Sequence, residues 1–259
     1  MNEDLELALE LADIADTITA ASFRDRDLKI ESKPDMSLVS AADRAAEETI
    51  RAHLSNVRPN DGVLGEEFGE AAGTSGLRWV LDPIDGTHNY VRGIPVWASL
   101  IAAERDGVGV VGVVSAPALG RRWYAAKGEG AFIANASADG APDDPGERIR
   151  VSGVTSLADA QLSSGWERML FSTRYQALAK QCWRVRGFGD FWSLLLVAEG
   201  AVDIAIEPGY HWDLVAPNLI VEEAGGRVTS MDGGASLPAE HALATNGHLH
   251  DEVLKVLGK

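Results

Sequence analysis

Two carboxylates three residues apart, Asp82 and Asp85, stand in the stretch Asp82-Pro83-Ile84-Asp85-Gly86-Thr87. Hard divalent cations take oxygen ligands, and Mg²⁺ is typically held by one or two carboxylates, with phosphate oxygens and water completing its shell. Pro83 removes one backbone donor and restricts Asp82 to an extended backbone. Gly86 lets the chain approach a ligand closely. The amides of Gly86 and Thr87, at the start of a helical turn, are placed to receive a phosphate. The hexapeptide therefore reads as a metal-and-phosphate site, with a tight Pro-Ile-Asp-Gly turn as the lesser alternative for the stretch alone.

Further carboxylates shift that balance. Gly65-Glu66-Glu67 follows a short apolar run upstream, and like charges side by side at a strand end are unfavourable unless solvated or bound to cations. Trp212-Asp213 opens a helical pattern through Leu214, Ala216-Pro217 and Ile220, where Asp213 by itself could be an N-terminal cap. Together, Glu66, Asp82, Asp85 and Asp213 supply the carboxylates of a two- or three-metal phosphoryl site.

Composition bounds the partners. The chain has 259 residues, with 39 acidic against 23 basic side chains and a formal charge of −16. That charge argues against nucleic acid, whose binding relies on Lys and Arg neutralising phosphates. It would also repel an anionic phosphate ester unless bound cations reverse the local field, so a phosphate site here calls for metal. Acidity alone serves solubility. At 46% hydrophobic and 24% charged residues, the chain has the make-up of an ordinary soluble globular protein. No apolar run approaches the ~18 residues of a membrane span. The acidic start Met1-Asn2-Glu3-Asp4 lacks the basic opening of a signal peptide, and one cysteine, Cys182, forms no internal disulfide. A cytoplasmic location is expected.

The elements that must position these groups can be read from periodicity. Apolar residues at helical spacing predict helices over residues 3–23 and 41–54, the second capped by Ser40, with the polar linker Glu31–Ser37 between them. Strands are expected at Gly62–Gly65, Trp79–Leu81, Pro95–Ala103, Val108–Val114 and Arg122–Ala126. Asp139–Gly146 reads as a boundary or surface loop. Beyond it, strands at Ile149–Ser152, Arg184–Arg186, Val202–Ala205, Arg227–Ser230 and Ala242–Thr245 alternate with helices near 167–180, 190–199, 213–224 and 248–257. This predicts an α+β part over residues 1–146, carrying most of the metal ligands, and an α/β part over 147–259.

Gly65-Glu66-Glu67, Asp82–Tyr90 and Trp212–Pro217 resemble the three signatures of the inositol monophosphatase family, in the same order and spacing from Lys33 to the C-terminal helix. Tyr90–Ala98, Arg186–Trp192 and Leu196–Ile204 are similar to the bacterial histidinol-phosphate phosphatases within that family. The resemblance implies a layered αβαβα sandwich, a homodimer and hydrolysis of a small phosphate monoester with two or three Mg²⁺ per site. The substrate implied is histidinol phosphate, in histidine biosynthesis. Inositol 1-phosphate or another sugar phosphate is the alternative. Carried over by residue, it implies that Glu66, Asp82, the Ile84 carbonyl, Asp85 and Asp213 hold metal, while Asp43 reaches a third cation through water. Glu66 and Thr87 would activate the attacking water, with Asp85 completing the catalytic set. The amides of Gly86 and Thr87 would cradle phosphate, and Lys33–Asp43 would form a loop over the site. The stretch from Glu207 to Asp213 looks one residue shorter than the family pattern, which puts the role of Glu207 in question.

An amine and an imidazole on the substrate call for acidic and aromatic groups, and Asp190, Glu207, Trp97 and Trp192 are candidates, beside Asp213. For the two tryptophans core packing is the plainer role. Arg184 or Arg186 could touch the phosphate or fix these carboxylates, or form surface ion pairs. His88 reads as phosphate-adjacent or solvent-facing, because a hard cation prefers oxygen. His211 reads as structural, and His248 and His250 as surface residues. Water attacks directly in this reading, since no cysteine lies near the motifs and the carboxylates are committed to metal. An aspartyl-phosphate phosphatase of the haloacid-dehalogenase type is disfavoured, because its aspartates lie two apart and near the N-terminus. A non-catalytic binding protein is disfavoured by the presence of Glu66 and Thr87.

Overall fold

The computed structural model describes residues 2–32, 38–136, 146–165, 171–237 and 241–258. The first layer is a helix pair, α1 (Glu3–Ser22) and α2 (Ala41–Val57). Asn2 caps α1 by accepting the Asp4 N–H at 3.0 Å, and Glu3, Asp4 and Glu6 in its first turn suit the positive end of the helix dipole. Its stripe Leu7, Ala8, Leu11, Ala12 and Ala15 is buried. Ser40 and Asp43 cap α2 reciprocally.

Both helices lie on one face of an eight-stranded sheet. Its strands are β3 (Gly62–Gly65), β4 (Gly69–Ala71), β5 (Leu77–Asp85), β6 (Ala98–Arg105), β7 (Val108–Ala116), β8 (Arg121–Ala126), β9 (Gly130–Ala134) and β10 (Glu147–Arg148). They run in the order β10-β9-β8-β7-β6-β5-β3-β4. Period-2 alternation divides the sheet: Trp79, Leu81, Ile101 and Val113 pack on α1 and α2, while Val80, Leu100, Ala102 and Val114 face the other way. A short ribbon of β1 (Ile30–Ser32) and β2 (Leu38–Ser40) joins the first two helices.

Against the second face lie α5 (Asp190–Ala198) and α6 (His211–Glu223), which also cover a five-stranded sheet. That sheet runs β12 (Arg184–Arg186), β11 (Gln161–Ser163), β13 (Ile204–Pro208), β15 (His241–Thr245), β14 (Arg227–Thr229). Its outer face packs on α4 (Thr173–Ala179) and α7 (His250–Val256) through Leu162, Ile206, Leu178 and Val253. The layers alternate helix, sheet, helix, sheet, helix, so the expected αβαβα sandwich is the fold. One apolar cluster joins residues of both sheets across α5 and α6. Close approach is possible because Gly112 faces α6: a Cβ there would stand 3.0 Å from the Ala216 backbone. No described helix is long and apolar enough to cross a membrane.

Departures from the sequence reading have local causes. The ribbon β1–β2 falls at the ends of what reads as a plain linker. Strands β4, β9 and β11 are short or rich in Gly and Ala, with little alternation to read. The sequence predicts a strand over Ile149–Ser152, and the structure has none there. The Ile149 amide donates to Ala131 at 3.0 Å and that of Val151 to Ala224 at 3.1 Å, so consecutive inward amides go to different elements. The segment Lys33–Ser37 and most of Asp139–Gly146 lie outside the described residues.

Candidate metal centre and active site

The strand expected to stop at Leu81 continues to Asp85, so the first two aspartates belong to β5 itself. Asp82 stands opposite Leu100 and Asp85 opposite Ala98 on β6, so three steps along β5 match two along β6. Pro83 sits in this bulge, where a missing ladder donor does no harm. The bulge has a directional consequence. Residues an odd number apart on a regular strand face opposite sides. The extra residue returns Asp85 to the face of Asp82, which is turned toward α5 and α6. Ile84 instead enters a small apolar cluster with Ala42, Tyr90 and Trp97.

The turn beyond is fixed by hydrogen bonds. The Ile84 amide donates to Asp82 Oδ1 at 2.9 Å, and the Thr87 hydroxyl donates to the Ile84 carbonyl at 3.0 Å. Gly86 has φ +81°, and a Cβ there would meet the Val96 carbonyl at 3.0 Å. It caps the short helix α3 (Thr87–Val91). From the opposite layer, the Phe191 amide at the start of α5 donates to Asp85 Oδ2 at 2.8 Å.

Asp213 arrives on the first turn of α6 and accepts the Tyr210 N–H at 2.7 Å. It is both a helix cap and a member of the cluster. One oxygen from each of Asp82, Asp85 and Asp213 lies within 4.8 Å of the others. Burial drives the Asp82 and Asp85 carboxyls well above their ordinary pKa, and neighbouring carboxylates add to the effect. The leading charges on Asp82 are Glu66, Asp213, Asp85 and Asp43, all negative. Asp213 is pushed up to about 7, first by burial and then, among charges, by Glu66 and Asp190. Asp43 is likewise raised to about 7 by burial, with Glu67 and Glu66 adding to it. One Asp43 oxygen accepts from the Ser40 amide at 2.9 Å and hydroxyl at 2.5 Å, while its Oδ1 is buried with no hydrogen bond. A hard divalent cation would relieve the mutual repulsion of these crowded carboxylates, Asp82 buried and Asp85 and Asp213 half-buried, and take their oxygens as ligands.

A cavity of about 460 Å³ opens beside the cluster, lined by Asp85, Asp190, Glu207, Tyr210 and Asp213 among others. Glu207, at the end of β13, is buried and accepts the Gly165 N–H at 2.7 Å. Burial pushes its carboxyl up to about 8. Asp190 holds a left-handed backbone, φ +50°, unusual outside glycine and a mark of local strain. The Asn89 amide donates to it at 3.2 Å. Burial raises the Asp190 carboxyl, and the charge of exposed His88 opposes that rise.

Other expected contributors stand elsewhere. Arg184 and Arg186 are exposed on β12 and do not line this cavity. Arg184 lies 6.0 Å from the Trp183 ring centroid, and Arg186 donates to the neighbouring Val185 carbonyl at 2.7 Å. Trp97 is fully buried against Phe23 and Tyr90, so core packing is its role, and Trp192 packs edge-on to Phe188 at 5.6 Å. His248 is exposed as expected, but His250 is not a surface residue. It is fully buried, with Nε2 2.9 Å from the Thr229 hydroxyl and Nδ1 3.0 Å from that of Thr245. Sequence reading gave no role to Asn89, which joins the turn after β5 to Asp190; its place within the Asp82–Tyr90 signature was the available signal.

The sequence pattern of the inositol monophosphatase family matches residues 1–259. The chain is 55% identical over 258 residues to a histidinol-phosphatase of Mycobacterium tuberculosis, covering 98% of this chain and 97% of that protein. It is 50% identical to a histidinol-phosphatase of Streptomyces coelicolor, covering 99% and 97%. The structure of the extragenic suppressor protein suhB from Bartonella henselae superposes with a TM-score of 0.88 at 30% identity, covering 100% of this chain and 99% of that one. A fold, an acidic cluster and a full-length match agree: this chain belongs to the inositol monophosphatase family, metal-dependent hydrolases of small phosphate monoesters.

Proposed function

We propose that this enzyme is a Mg²⁺-dependent histidinol-phosphatase of histidine biosynthesis, acting by direct attack of water. The observation that carries this reading is a pair of carboxylates, buried Glu207 and solvent-accessible Asp190, lining the cavity beside the aspartate cluster. A carboxylate withheld from water at Glu207, with a second acidic group at Asp190 on the same cavity wall, favours a cationic guest, and the amine and imidazole of histidinol phosphate supply one. The relatives named histidinol-phosphatase, 55% and 50% identical along nearly the whole chain, support it.

Glu66, Asp82, the Ile84 carbonyl, Asp85 and Asp213 would hold the cations, with Asp43 Oδ1 as a further oxygen. Bound Mg²⁺ would neutralise the phosphate and acidify water. Thr87 directs its hydroxyl proton to the Ile84 carbonyl, which leaves its oxygen to accept a hydrogen bond from the attacking water. Glu66 takes the proton of that water. As the water oxygen bonds to phosphorus, the phosphorus–oxygen bond to the alcohol breaks, and the leaving alkoxide takes up a proton through solvent in the open cavity while Glu66 returns its own to solvent. The Gly86 and Thr87 amides hold the phosphate beside α3. We assign a homodimer in the cytoplasm, checked by solution mass and cell fractionation.

The test is kcat/KM with Mg²⁺ for histidinol phosphate against inositol 1-phosphate. A preference for histidinol phosphate of at least about a hundredfold is expected, because inositol 1-phosphate leaves buried Glu207 without a cationic partner. Equal or reversed values overturn the substrate assignment.

A further inference from the structure

His211 opens α6 two residues before Asp213, and its side chain reaches across the layer to the eight-stranded sheet. Its Nε2 lies 2.8 Å from Glu104 Oε2 on β6. Glu104 is only 2% exposed, and Arg78 on β5 donates to its other oxygen from Nε at 2.7 Å. Arg78 is held in turn by Glu70 at 2.8 Å. Burial alone would raise the Glu104 carboxyl, but the hydrogen bonds from His211 and Arg78 outweigh it and keep it below its ordinary range. An ionised carboxylate only accepts, so the His211 nitrogen that faces it is the N–H.

The strand pattern gives this chain of contacts its meaning. Arg78 pairs with Glu104, and Asp82, four residues further along β5, pairs with Leu100. Arg78 and Asp82 therefore share the face of β5 that looks at α6. The same two elements, β5 with its neighbour β6 on one side and α6 on the other, meet at the His211 cluster and again at the aspartates. Further along α6, Ala216 rests on Gly112 with no room for a Cβ. Pro217 has no N–H to return to the Asp213 carbonyl, so the first turn of α6 lacks one of its usual ties. The Tyr210 amide orients the Asp213 carboxylate on its helix but does not fix that helix on the sheet.

We propose that His211, held by Glu104 and Arg78, is a positioning residue for the metal centre. It fixes the first turn of α6 on β5 and β6 and so sets where Asp213 stands relative to Asp82 and Asp85. The inference rests on the reading of the three aspartates as metal ligands. Its role is that of an outer partner one step removed: it orients a ligand-bearing helix rather than a ligand.

The test uses the full-length protein stripped with a chelator and titrated with Mg²⁺, following the rise in melting temperature. The half-saturating concentration reports affinity, and the starting temperature reports stability. His211→Phe removes the donor and should raise the half-saturating concentration about tenfold or more, the usual scale for loss of an outer partner. His211→Gln keeps an N–H that can reach Glu104 and should restore it to within about threefold of wild type on the same scale. Leu178→Ala, in the outer apolar cluster beside α4, should lower the starting temperature and leave half-saturation unchanged. Should His211→Phe fail to fold, Glu104→Gln carries the same expectation, because it weakens the acceptor while keeping its shape. A folded His211→Phe or Glu104→Gln protein with wild-type half-saturation overturns the inference. Absence of any Mg²⁺-dependent shift in the wild type overturns the metal-centre reading and the inference with it.

Discussion

Replacing Asp85 by Asn separates what the aspartate cluster does for cation binding from what it does to the fold. Asn keeps the size of the side chain and an oxygen to accept the Phe191 N–H, now 2.8 Å from Oδ2. It removes one of three negative groups whose oxygens lie within 4.8 Å of one another. Two unit charges at that distance repel by about 3.5 kcal/mol at an effective dielectric of about 20, and by about 0.9 kcal/mol in water. The cluster is buried at one side and opens to a cavity at the other, so relief of about 1–3 kcal/mol is expected for the metal-free protein at mildly alkaline pH. At about 2–4 °C per kcal/mol for a chain near this size, the variant should melt several degrees higher than wild type in EDTA. With Mg²⁺ the order should invert. Cation at about a hundred times its Kd adds about 2.7 kcal/mol to a protein that binds it, and the variant should gain little of this. Phosphatase activity should fall below about one-thousandth of wild type, since charge neutralisation at phosphorus is most of this chemistry. The assay is a melting curve with and without Mg²⁺, paired with phosphate release. A variant that melts no higher in EDTA, or that keeps the full Mg²⁺ shift, refutes the reasoning.

Three further outcomes follow from the packing. Arg122 is almost fully buried and holds buried Asp16 at 2.7 Å, so Arg122→Met should cost about 3–5 kcal/mol in urea denaturation by stranding that carboxylate. His250 has its pKa lowered from 6.5 to about 4 by burial and, secondarily, by Arg227, so its neutral form is the folded one. The unfolded chain then binds more protons between these values. Stability from this group is intact above pH 6.5 and declines by about 3 kcal/mol as pH falls toward about 4. Denaturation midpoints of wild type and His250→Gln across that range should converge as pH drops; parallel curves would exclude this role. Gly112→Val should push α6 off the sheet, lowering stability by about 2 kcal/mol and weakening Mg²⁺ affinity, read by the same melting titration.

The carboxylates of the site were legible because chemistry restricts which residue types serve and the chain crowds them at element ends. Their directions were not. Asp82 and Asp85, three apart on one strand, would ordinarily point to opposite faces, and only the pairing with Leu100 and Ala98 shows the bulge that reunites them. Reading the strand as finished at Leu81 hid this. The mixture of helices and strands followed from their alternating periods and the layered sandwich from the family resemblance, while β1, β4, β9 and β11 were too short to carry a period of their own. His250 looked like a surface residue because two histidines flank a helix start. The two threonine hydroxyls that satisfy it come from β14 and β15, and no local pattern announces that. Trp97 was ambiguous for a similar reason: an aromatic beside a motif looks the same in sequence whether it meets a ligand or Phe23.

Asp82 and Asp85 sit in the first sheet, and Asp213 is contributed by a helix far later in the chain. On the ribosome, the early strands therefore emerge and pair while the third carboxylate is still unmade. This crowding of three carboxylates is postponed until the rest of the sandwich is available to enforce it. A chain terminated anywhere before α6 would carry most of the motif and none of the activity. Conversely, a separately expressed C-terminal segment has something definite to restore, which makes regained phosphate release in mixed fragments a direct readout of how the layers dock.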